Sequence, residues 1–134
     1  MDLMDLKPTS DTIEVFIKDP YTGEILTNDG DGSEMTITVY APHSKEYKAA
    51  IHKQTNKRLK AASRKGSVGS ISAEELEESG FDLLCGTVAS WDITFGKEKP
   101  KLTIEKARTL FTEVFWIKDQ VEEAVRDAEV FTRG

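Results

Sequence analysis

The chain has 134 residues, 38% of them hydrophobic and 31% charged, which is the size of one domain and enough to bury about two thirds of the unfolded chain's surface. A single cysteine, Cys85, excludes an internal disulfide. With two histidines a structural zinc site lacks ligands, and no apolar run nears the ~18 residues of a membrane span. The net charge of -6 and pI near 5.0 argue against a general nucleic-acid binder, and the acidic start MDLMDLKP is unlike a signal peptide, so a soluble single domain over 1–134 in a reducing compartment is expected.

Charge is unevenly spread. Residues 1–42 hold nine acids and two bases, a net -7. Residues 43–65 hold one acid, Glu46, against eight bases, a net +7. Residues 72–134 hold fourteen acids and eight bases, a net -6. A basic block between two acidic ones can be neutralised within the chain or by a neighbouring copy.

Residues 1–11 lack periodicity and read as a loose arm. In Thr12–Lys18, Ile13, Val15 and Ile17 alternate with Glu14 and Phe16, the period of a half-buried strand. Asp19-Pro20-Tyr21-Thr22-Gly23 is a turn, Glu24-Ile25-Leu26 a short extended piece, and Asn28–Ser33 a second, glycine-bearing turn. Met35–Tyr40 is another strand, with Met35, Ile37 and Val39 on one face, and the two strands in succession favour an antiparallel pair. Ser44 is placed to cap a helix running from Lys45 to Ala62. Its apolar residues, Tyr47, Ala50 and Ile51, share a face that turns polar beyond Gln54, so the second half is exposed or faces a partner. Ser63–Ser70 is glycine- and serine-rich and reads as a flexible link.

Ser72 with Glu75 matches a capping box, and Glu74, Glu75, Glu77 and Glu78 crowd the positive end of the helix that follows. Leu76, Leu83, Leu84, Thr87, Val88 and Trp91 follow a helical stripe, interrupted by Gly80 and Gly86, each costing about 1 kcal/mol against alanine. Gly86 is also a place where another backbone can approach closely. Phe95–Pro100 is a loop. Thr103 caps a short helix with Ile104, Ala107, Leu110, Phe111 and Val114 on one face, Phe115-Trp116 marks a corner, and Ile117, Val121, Ala124, Val125 and Ala128 carry a closing helix. The expected architecture is α+β: a β-hairpin arm over 1–42, a basic helix over 43–65, a link over 66–71, and a helical part over 72–134, with about four helices in a bundle.

Residues that carry chemistry are sparse. Asn28–Glu34 (NDGDGSE) has the composition of a calcium loop, but the twelfth position falls on Val39, Tyr40 or Pro42 where a bidentate acid is needed, so a hairpin loop fits better. His43 and His52 have no cysteine nearby, Cys85 sits beside Leu84 without a base in sequence, and the nucleotide, zinc-protease and serine-hydrolase motifs are absent. Gly66-Ser67-Val68-Gly69 lacks the strand and lysine of a phosphate loop. No catalytic residue, metal ligand or cofactor site is therefore expected. Lys53, Lys57, Lys60 and Arg64 recur at helical spacing. That stripe reads as a solvated face, a surface for an acidic partner or second copy, or less readily a phosphate-binding face, since only Tyr47 is available for stacking. Phe115-Trp116, with Trp91, Phe95 and Phe131, read as core material or as interface anchors. The candidate self-association or partner surface is Lys53, Lys57, Arg58, Lys60, Trp91, Phe115 and Trp116.

Val88-Ala89-Ser90-Trp91-Asp92, then Leu102-Thr103-Ile104-Glu105-Lys106-Ala107 with Leu110, then Phe115-Trp116-Ile117 and Gln120-Val121, resembles the tail assembly chaperones of long-tailed bacteriophages, the lambda-type G-protein analogues. The resemblance covers roughly 72–131, and Val114-Phe115 stands where such proteins often carry a proline. It implies a non-enzymatic assembly factor, made in the host bacterial cytoplasm and absent from the mature virion. Such a factor keeps the tape measure protein soluble until tail-tube subunits polymerise around it. It further implies a frameshifted longer form that recruits the major tail tube protein, and homo-oligomers as rings or spirals. A virion structural protein, such as a head–tail connector or tail-completion subunit, is the alternative reading. A nucleic-acid-binding adaptor using the basic helix is the third.

Overall fold

The structure, a computed structural model, describes residues 2, 4, 11–65 and 73–130. Strands β1 (Thr12–Phe16), β2 (Thr36–Tyr40) and β3 (Val88–Asp92) form an antiparallel sheet in the order β1-β2-β3. Around it are helices α1 (Lys45–Lys65), α2 (Ala73–Gly86), α3 (Ile104–Glu113) and α4 (Phe115–Val130). The α+β class, with a hairpin followed by four helices, is the one read from the sequence. The expected loose arm over 1–11 lies outside the described residues apart from Asp2, Met4 and Asp11; the helix expected to end at Ala62 runs on to Lys65, so the first three residues read as the flexible link Ser63–Ser70 are helical, and 66–72, with the Ser72 capping box, lie outside the described residues.

The strand alternation sets the register. Ile13 pairs with Val39 and Val15 with Ile37, so the apolar residues share one face while Phe16 and Thr36 share the other. Between the strands, Asp19 Oδ1 accepts from the Tyr21 and Thr22 amides at 2.8 and 3.2 Å, and Gly23 takes φ +77° to close the turn. Leu26 then threads back: its amide donates to the Ile17 carbonyl and its own carbonyl accepts from Met35, both at 2.8 Å.

The third strand corrects the reading of a helical stripe through Trp91. Leu84, Val88 and Trp91 fall at helical spacing, but α2 stops at Gly86. There the buried Thr87 closes the helix, its Oγ1 donating to the Leu84 carbonyl at 2.8 Å. The Thr87 carbonyl then accepts from the Tyr40 amide at 2.8 Å, and Val88–Asp92 pairs along the free edge of β2 with a bulge between Thr38 and Val39. A ladder on an otherwise open edge outweighs continuation of a helix already weakened by glycine.

The inner face of the sheet forms one core with α2, α3 and α4. Ile37, Val39, Phe111 and Val121 are almost wholly buried there, together with Val15, Ile17, Leu84, Cys85, Leu110 and Ile117. Thr103 caps α3, its Oγ1 accepting from the Lys106 amide at 3.0 Å, as expected. Ile104, expected on the buried face, is 60% exposed at the first position of α3, and the helix buries Ala107, Leu110 and Phe111 instead. The Phe81 and Phe111 rings meet edge to face at 6.5 Å between centroids. Arg108 lies over Phe81 and pairs with Glu78 and Asp82, binding α3 to α2. The Gln120 side-chain amide closes the end of β1 like a strand residue, accepting from the Lys18 amide at 2.9 Å and donating to its carbonyl at 2.7 Å. Phe111→Ala is expected to cost about 3–5 kcal/mol, read as a lower urea midpoint at unchanged slope, and a loss below about 1 kcal/mol would contradict this core.

Candidate functional site

The basic helix is tethered at one end and along one seam. Ser44, 1% exposed, caps it: its Oγ accepts from the Tyr47 amide at 3.1 Å and donates to the Ala41 carbonyl at 2.7 Å. Tyr47, Ala50 and Gln54 are half-buried toward α2, the Gln54 amide donating to the Ser79 carbonyl, and α1 packs chiefly on α2. Lys53, Lys57 and Lys60 lie about a quarter-turn from that seam. All three are exposed and make no ion pair among the described residues. The side chains of Arg58 and Arg64 lie outside the described ones. On α2, Glu78 and Asp82 both pair with Arg108 of α3.

The aromatic candidates are placed elsewhere. Trp91 is half-buried on the flank of the core, its Nε1 donating to the Pro100 carbonyl at 2.9 Å, and Trp116 is half-buried against the same core. Phe115, at the first turn of α4, is 67% exposed. The structure therefore does not gather the lysines and the aromatics into one patch: the former belong to the α1–α2 side, the latter to β3 and the start of α4.

Two arrangements escaped the sequence reading. The first is a polar knot at one end of the sheet. Asn28, 2% exposed, donates from Nδ2 to Ser33 and Asp92 and accepts from Thr94 Oγ1 at 2.8 Å, pinning the second turn to the end of β3. Lys99 Nζ lies 2.7 Å from Asp31 and 3.0 Å from Asp92. The Lys99 ammonium thus pairs with Asp31 of the loop that has the composition of a calcium site. Among the described residues no group of three or more His, Cys, Asp or Glu is arranged to hold a metal ion. The Lys99 ammonium and the Ser33 amide and hydroxyl hold the Asp31 carboxyl well below the usual carboxylate range. The second is a cleft of about 250 Å³ where α1, α2 and α4 converge, lined by Tyr47, Gly80, Leu83, Leu84, Thr87, Glu122, Val125 and Arg126. Its walls come from helices far apart in sequence, so no local pattern announces it.

Cys85 is a core residue, 3% exposed, and burial pushes its thiol up to about 11, with the Glu78 charge adding to the effect. Such a thiol stays protonated near neutral pH. Among the described residues no helix is long and apolar enough to cross a membrane. No family model, curated protein or solved structure matches the chain.

Because the folded Asp31 carboxyl is more acidic than the unfolded one, the unfolded state binds more protons as pH falls. The contribution is complete above the ordinary aspartate value of about 3.9 and drains away below it. The difference in melting temperature between wild type and Asp31→Asn is therefore expected to shrink from pH 5 to pH 2, and a difference that stays constant over that range would contradict the Lys99 pairing.

Proposed function

We propose that the chain is a non-enzymatic assembly factor of the tail assembly chaperone type. It would bind the tape measure protein in the host cytoplasm, keep it soluble during tube assembly, and be absent from the finished particle. The observation that carries this reading is the exposed basic stripe of α1, whose lysines have no ion-pair partner in the described chain and whose helix is held chiefly by one seam. Such a stripe is a surface for something else. The order of elements after β3 supports the same reading, with a loop, the Thr103-capped helix, the Phe115-Trp116 corner and a closing helix, whereas Trp91 lies in β3 and not at the helix end that the resemblance implies. A rod with repeated features is held well by many weak, identical contacts, which sum through multivalency. Copies joined head to tail, basic face to acidic face, supply that array as rings or spirals. The major tail tube protein would join through a longer, frameshifted form.

Co-expression tests this. Wild type is expected to move the tape measure protein from pellet to supernatant, and to scatter light at low salt as a species larger than one chain. Lys53→Glu, Lys57→Glu and Lys60→Glu together are expected to reduce both, because their attraction acts over a Debye length of about 30 Å at 0.01 M salt. A tape measure protein equally insoluble with and without the wild-type chain contradicts the reading, as does this chain recovered in purified virions. An oligomer unchanged by the triple substitution contradicts the charge pairing.

A further inference from the structure

The turn between Asn28 and Ser33 contains two aspartate–glycine steps, Asp29-Gly30 and Asp31-Gly32. Such a step is chemically reactive: the glycine amide nitrogen can reach the preceding side-chain carboxyl, and no Cβ hinders the approach. The two steps share one sequence pattern, and the fold treats them oppositely. At Asp31, Oδ1 accepts from the Ser33 amide at 3.0 Å and from the Ser33 hydroxyl at 2.8 Å, while Oδ2 accepts from Lys99 Nζ at 2.7 Å. The nitrogen that would attack it is engaged as well, the Gly32 amide donating to the Asn28 carbonyl at 3.1 Å. Lys99 and Ser33 also keep the Asp31 carboxyl ionised to well below the usual carboxylate range, so it carries no hydroxyl to release. At Asp29 only the backbone is tied, its amide donating to Thr94 Oγ1 at 3.2 Å. The Asp29 side chain is exposed, and among the described residues neither its carboxylate nor the Gly30 amide has a hydrogen-bond or ion-pair partner. Gly30 stands at φ +91° with nothing within 4 Å of the place a Cβ would take, so the approach of its nitrogen is open.

We propose that Asp29-Gly30 is a site of spontaneous isoaspartate formation in the folded protein, and that the clasp of Lys99 and Ser33 on Asp31 spares Asp31-Gly32. The Gly30 nitrogen bonds to Asp29 Cγ and gives up its proton. The C–O bond of the carboxyl breaks, and its hydroxyl leaves with that proton as water. Solvent water then opens the five-membered imide. Entry at Cγ breaks the new C–N bond and restores aspartate. Entry at the Asp29 main-chain carbonyl breaks the original peptide bond instead, and the chain then runs through Cγ. One water is lost and one regained, so neither composition nor oxidation state changes. The product has one more methylene in the backbone directly after Asn28, whose side chain ties this turn to Asp92 of β3. The chemistry needs no partner and is independent of the function proposed above.

The test is a warm incubation of the purified chain at mildly acidic pH, folded in buffer and unfolded in urea, followed by tryptic digestion. Cleavage after Lys18 and Lys45 leaves both steps in one peptide, 19–45, and electron-transfer fragmentation places the isoaspartate at 29 or 31. In the folded chain it is expected to accumulate at 29 roughly ten-fold or more faster than at 31, where charge-assisted hydrogen bonds must first open. In urea the two rates are expected to converge, because the clasp is gone and the sequence pattern is the same. Lys99→Ala, shown to be folded by its melting curve, is expected to speed isomerisation at 31 and leave 29 unchanged. Equal accumulation at 29 and 31 in the folded wild type overturns the proposal, as does accumulation at 31 alone. So does a folded chain that stays intact at 29 while the unfolded one isomerises, and an unfolded chain that isomerises at neither position. A folded Lys99→Ala chain with an unchanged rate at 31 overturns the clasp, and the wild-type comparison decides the site should that variant fail to fold.

Discussion

The inner face of a three-stranded sheet has to be covered, and covering it decides where nearly everything else goes. Ile37 and Val39 on the central strand are fully buried, with Phe111 of α3 and Val121 of α4 buried in the same cluster. Removing such side chains from water contributes on the order of 2 kcal/mol each, far more than an exposed ion pair does. Meeting that demand draws α2, α3 and α4 onto the sheet. It also brings Val88–Asp92 back from the middle of the chain as β3, so that only one long edge of the hairpin stays open.

Among the described residues, the core so formed uses no side chain of α1. That helix is fixed by its Ser44 cap and by the seam at Tyr47, Ala50 and Gln54, and beyond Gln54 it is rich in lysine and arginine. A helix of this composition has little apolar surface to bury. Helix α2 links α1 to the core, burying Leu84 and Cys85 there while its Ser79 carbonyl accepts from Gln54 of α1, and the cleft beside Gly80 lies where the two helices meet α4.

How much of this was legible in the sequence depends on the range of the interaction. Alternation in Ile13–Ile17 and Met35–Val39, the Thr103 and Ser44 caps, and the Asp19–Gly23 turn are local devices, and each is where the residues place it. The β3 strand was not legible, because Leu84, Val88 and Trp91 satisfy a helical period as well as they satisfy a strand after Gly86, and only pairing with β2 decides between them. The basic stripe was legible as charge. The separation of Lys53, Lys57 and Lys60 from Trp91 and Trp116 was not, since it follows from which helix lies on the sheet. The Asn28 knot and the cleft join residues more than 60 and more than 70 positions apart, respectively, and neither leaves a mark in any short window.

The central claim is that this molecule acts through the surface made by α1, α2 and α4, with the sheet as its foundation. Hydrogen exchange followed by mass spectrometry, on the chain alone and on the chain saturated with the tape measure protein, tests it most directly. The account predicts slower exchange on binding in 45–60, 73–86 and 120–127, with β1 and β2 unchanged. Slowing confined to the strands, or none in any segment, would contradict it.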